Sequence, residues 1–120
     1  MGGAATRLAA LPANGLPNGL AMDRATDTLY ASDSVLGVIW RVKTSGGKPA
    51  VWARGAALEP DGFLGANGLK LHNGAVWTTN LDKGTVLRIP MLATGSAGNI
   101  QVKSRGEVPV LRTGPLLRSL

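Results

Sequence analysis

Residues 16–42 read LPNGLAMDRATDTLYASDSVLGVIWRV, and most of their features return about one third of the chain further on. The stretch opens with Asn18-Gly19-Leu20, runs into Leu29-Tyr30-Ala31-Ser32-Asp33 and closes with Gly37-Val38-Ile39-Trp40-Arg41-Val42. The second copy opens with Asn67-Gly68-Leu69, runs into Val76-Trp77-Thr78-Thr79-Asn80 and closes with Gly84-Thr85-Val86-Leu87-Arg88-Ile89. Tyr30 and Trp77, Asp33 and Asn80, Gly37 and Gly84, and Arg41 and Arg88 are each 47 residues apart, whereas Asn18 and Asn67 are 49 apart. The first copy therefore carries two extra residues in the turn before its second strand, a place where a sheet tolerates length change.

Each copy alternates with a period of two. Leu20 and Met22 alternate with Ala21 and Asp23, and Leu69 and Leu71 alternate with Lys70 and His72. That is the pattern of a half-buried strand. Arg24 to Asp27 and Asn73-Gly74 supply turns, the latter a strong hairpin signal. Short strands are expected at Leu29–Ser32, Val38–Val42 and Ala50–Ala53, and again at Val76–Thr79, Thr85–Ile89 and Ile100–Val102. The chain then divides into a lead-in at 1–15, a four-stranded unit at 16–54, a loop at 55–66, a second unit at 67–103 and a tail at 104–120. In the tail, Val108–Leu111 is a candidate strand interrupted by Pro109.

The rest of the composition narrows the function classes. With 120 residues and 44% apolar content the chain fits one domain with a core. Seventeen glycines and seven prolines favour a turn-rich β protein over a helical bundle. The absence of cysteine removes disulfides, thiolate metal sites and cysteine catalysis. The +6 net charge could suit an anionic partner, but Lys and Arg are scattered singly and form no run, so no nucleic-acid partner is expected. No apolar run of about 18 residues is present, so no membrane span is expected, and no charged-then-apolar leader opens the chain. Localisation is left open.

A four-stranded antiparallel unit repeated with a period in the forties is the signature of a β-propeller blade. The expected fold is all-β, a partial β-propeller of about two four-stranded antiparallel blades. With PNGLAMD, LYASDS, GVIWRV, GANGL and GTVLRIP in that order, residues 12–103 resemble the senescence-marker-protein and gluconolactonase family of six-bladed propellers. The resemblance implies a calcium- or zinc-dependent lactone or ester hydrolase with its metal at the top of the central channel. In that family the asparagine of Pro-Asn-Gly-Leu is a metal ligand, which places Asn18 in that role. The following blade of the hydrolases opens with Pro-Asp-Gly, whose aspartate binds metal and takes the proton of the attacking water. Here Asn67 stands in that place.

An amide can ligate a hard cation but cannot act as a general base. Asp61, in Pro60-Asp61-Gly62, resembles the missing motif but lies six residues too early relative to the following strand, so it would have to reach the site from the loop, and the family's remaining glutamate and asparagine ligands have no counterpart here. Two blades do not close a ring. The functional expectation is thus a fragment of a metal-dependent lactonase-like propeller, inactive alone and taking a small lactone or ester when completed. The alternative is a non-catalytic propeller module that binds a ligand or a protein. Exposed blade faces also predict self-association, with three copies making six blades as one form of it.

Plainer readings stand beside these. Asn18-Gly19 and Asn67-Gly68 are turn dipeptides in the first instance. Asp33 and Asn80 are expected to cap strand ends, and Trp40, Trp52 and Trp77 to pack between blades. His72 with Ser32 or Ser34 and Asp33 does not make a credible triad, because His72 lies on the polar phase beside a tight turn.

Overall fold

The computed structural model describes residues 3–105, and every strand expected from the repeat is present among them. Sheet 1 consists of β1 (Pro17–Asp23), β2 (Thr28–Asp33), β3 (Val38–Lys43) and β4 (Ala50–Arg54). Sheet 2 consists of β5 (Ala66–His72), β6 (Ala75–Asn80), β7 (Thr85–Pro90) and β8 (Gln101–Arg105). Each is an antiparallel meander in chain order, and the two sheets stack face to face in an open arrangement. The candidate strand at Val108–Leu111 lies outside the described residues.

The repeat extends to the irregularities of the ladders. In both sheets the first strand is bulged against the second, at Pro17–Gly19 and at Ala66–Leu69. The third strand shifts register against the fourth between Ile39 and Trp40, and again between Val86 and Leu87, positions 47 residues apart. The sequence offset is explained as well. Four residues join β1 to β2, whereas Asn73-Gly74 alone joins β5 to β6, with both residues at positive φ (49° and 70°) as a two-residue hairpin turn requires.

The core lies between the sheets. Ile39, Leu58, Ala66, Val76, Leu87 and Ile89 have no exposed surface, and Tyr30 meets Trp52 edge to face at 5.1 Å between ring centres. Full burial of each large aliphatic side chain stabilises by about 1.5–3 kcal/mol, so this seam is the main apolar contribution to the fold. Trp52 also donates Nε1 to the Gly95 carbonyl at 2.8 Å, which ties β4 to the loop between β7 and β8.

The loop expected at 55–66 carries a 3-10 turn, Ala56–Leu58, whose Leu58 is fully buried in the core. The expectation for the tryptophans is corrected. Of the three tryptophans only Trp52 belongs to that core, while Trp40 and Trp77 are half-buried side chains outside the core cluster. The reason is phase: Trp77 is the counterpart of Tyr30, so the residue that faces inward from sheet 1 faces away from the core in sheet 2.

Candidate functional site

The edge where β1 and β5 meet carries both asparagines singled out from the sequence. Neither is in a turn. Asn18 occupies the bulge between Pro17 and Gly19, and Asn67 the equivalent bulge between Ala66 and Leu69. A bulge re-aims the side chain of the inserted residue, and such positions recur at the rims of barrels and beside sites. Asn18 is exposed and donates Nδ2 to Ser34 Oγ at 3.3 Å. Asn67 is half-buried, and its amide group has no hydrogen-bond partner among the described residues.

Two fully buried serines link the strands that carry these asparagines. Ser32 Oγ accepts from Gly19 N at 2.9 Å and donates to the Asn67 carbonyl on the other sheet. Ser34 Oγ accepts from Asn18 Nδ2 and donates to the Ala66 carbonyl. Each hydroxyl therefore satisfies a group on β1 and a group on β5, which is why both can be buried without loss. Asn18 and Asn67 are held in a fixed relation by these bridges.

Asp33, at the end of β2, is committed elsewhere. Its Oδ1 accepts from Leu16 N at 2.9 Å, Val35 N at 3.1 Å and Leu36 N at 2.9 Å, and its Oδ2 accepts from Trp40 Nε1 at 3.2 Å. Burial works to raise its carboxyl, but the backbone N–H groups of Leu16, Leu36 and Val35 and the Trp40 indole outweigh burial and hold it below its ordinary value. A carboxylate fixed by four donors organises its turn and does not act as a base. Asn80 does the corresponding work in sheet 2, accepting from Lys83 N at 3.1 Å and donating to the Ala57 and Glu59 carbonyls at 2.9 and 2.8 Å. The expected capping role holds for both residues, with longer reach than local bonds alone.

The other named groups do not join this edge. His72 is exposed at the opposite end of β5 and contacts Asn73 Nδ2 at 3.1 Å. The Asp61 segment is pinned to the β6–β7 turn, where Asp82 Oδ2 accepts from Asp61 N at 2.6 Å and Phe63 N at 2.9 Å.

The donor set decides which cation could sit at this edge. A neutral amide oxygen suits a hard ion such as Ca²⁺, as one of its six to eight oxygen ligands, better than Zn²⁺, whose usual ligands are nitrogen, thiolate or carboxylate. Among the described residues no three His, Asp or Glu side chains gather. Ser32 and Ser34 were missed as linking residues because a lone serine in a strand carries no sequence signal. Only the glycine opposite, which permits close approach, hints at a partner there. No protein-family model matches the chain, and no curated protein is significantly similar to it.

Proposed function

We propose that the two sheets are blades of a β-propeller of the gluconolactonase-like kind, and that this part of the propeller binds at its channel edge without supplying a hydrolytic base. The observation that carries this reading is the placement of Asn18 and Asn67 on equivalent bulges of adjoining inner strands, linked through Ser32 and Ser34. Asn18 and Asn67 would hold a divalent cation by their amide oxygens. When bound, the ion would polarise a lactone or ester carbonyl. The chain's own part is to position those oxygens: the bulges direct the side chains and the serines lock one strand against the other.

Hydrolysis would further need a proton acceptor. The amide of Asn67 has none, and Asp33 is occupied by four donors. These two facts favour binding without turnover over a lactonase. Calorimetric titration with CaCl₂ tests the reading. Weak binding that disappears in Asn18→Ala and in Asn67→Ala is expected, together with no hydrolysis of a lactone panel. Affinity unchanged in the double variant would refute the cation site, and turnover with metal would restore the enzyme.

A further inference from the structure

The joint between the sheets has two halves, and each half is repeated on a face that no other sheet covers among the described residues. Inside the joint, Gly19 N donates to Ser32 Oγ, whose proton crosses to the Asn67 carbonyl. No side chain fits at Gly19, because a Cβ would lie 2.5 Å from Asn67 O and 2.9 Å from Leu69 Cβ. The same elements recur in sheet 2. Gly68 N donates to Thr79 Oγ1 at 3.2 Å, and that hydroxyl donates to nothing among the described residues. A Cβ at Gly68 would meet only Thr79 Oγ1, at 3.6 Å. Sheet 2 therefore presents a notch, an unused hydroxyl proton, and Trp77 and Val86 where sheet 1 has Tyr30 and Ile39.

Sheet 1 presents the receiving half. Leu20, Leu29, Trp40 and Val42 hold the places that Leu69, Val76, Leu87 and Ile89 hold in sheet 2, where Val76, Leu87 and Ile89 are fully buried. Here Leu20 is 67% exposed. Residues 7–11 lie over this face and leave a cleft of about 270 Å³ beneath them. Leu8 is tied to the β3–β4 turn by one 3.3 Å bond from Gly47 N, and is itself 43% exposed.

We propose that a second copy of this chain docks head to tail, its sheet 1 face on the Gly68–Thr79–Trp77 face of the first, with residues 7–11 displaced. The occupant follows from continuity with the internal joint: the outer face of sheet 2 and the sheet 1 face beneath residues 7–11 are the two sides of an interface the chain already forms with itself. Such contacts are heterologous, so they build rings or filaments rather than a two-fold dimer. Added salt strengthens them, because each copy carries a net charge of +6.

The inference shares the stacked-sheet part of the functional reading and is independent of the cation, so sedimentation velocity is run in EDTA over a wide concentration range. Wild type is expected to associate with rising concentration. Gly68→Val fills the notch where the monomer has room, and Leu20→Arg places a charge on the opposite face. Each is expected to weaken association by at least about tenfold while urea melts show unchanged folding. An equimolar mixture of the two variants has one intact face on each, and should give a dimer and nothing larger. A wild type that stays monomeric, an association indifferent to Gly68→Val, or a mixture that stays monomeric would each overturn the proposal.

Discussion

Ser32 and Thr79 occupy equivalent places and accept the same backbone bond, yet one is fully buried between sheets and the other is exposed. A smaller contrast of the same sign separates the half-buried Gly19 from the exposed Gly68 and the fully buried Ile39 from the half-buried Val86. One repeat thus shows the same chemistry with and without a neighbour. The difference teaches that the same backbone-to-hydroxyl bond is completed by a second acceptor where the sheets stack, and ends at the hydroxyl where, among the described residues, no sheet covers it.

Substitutions at matched positions should break or sharpen that contrast. The largest difference is expected for the apolar pair: Ile39→Ala should lose about 2–5 kcal/mol in urea denaturation, since it empties a fully buried site. Val86→Ala should lose under about 1 kcal/mol, because that side chain is half-exposed. Next comes the notch. Gly19→Ala should destabilise by about 1–3 kcal/mol through collision with Asn67 and Leu69, whereas Gly68→Ala should stay within about 0.5 kcal/mol. Equal effects at the two glycines would mean that the sheets do not meet as described.

A smaller effect is expected from the hydroxyls. Ser32→Ala leaves the Gly19 N–H and the Asn67 carbonyl without a partner and should lose about 1–2 kcal/mol, against a few tenths for Thr79→Val. The last contrast is with pH. Asp33 has its carboxyl lowered, so its contribution to stability is complete above the ordinary value of 3.8 and is lost as pH falls through its lower folded value. Asn80, its counterpart, does not titrate. Asp33→Asn should therefore flatten the acid limb of stability below pH 3.8, measured by thermal melts across the acid range. An unchanged acid limb would show that other carboxylates carry it.

Strand positions were legible because alternation and turn dipeptides are local signals. All eight strands fell where the repeat put them, with ends differing by a few residues. The Asn-Gly dipeptides were harder. Asn73-Gly74 is a turn, whereas Asn18-Gly19 and Asn67-Gly68 are bulged strand, since the same dipeptide serves any backbone that needs freedom or close approach. Leu58 was hidden in a segment read as loop because one leucine has no periodicity. The asparagines of the candidate site could be named from the sequence, but the serines that link them could not.

The sequence by itself determined the all-β class, the two four-stranded units, their order and the two-residue difference between them, since each depends on contacts or turns between near neighbours in the chain. Tertiary structure alone decided which face of each sheet is buried. Tyr30 and Trp77 share a phase, and only the stacking of sheet 2 on one side of sheet 1 makes the first a core residue and leaves the second outside the core. It also decided that Asp33 is fully engaged and that Ser32 and Ser34 bridge to β5, because these bonds join residues brought together by packing and not by sequence spacing.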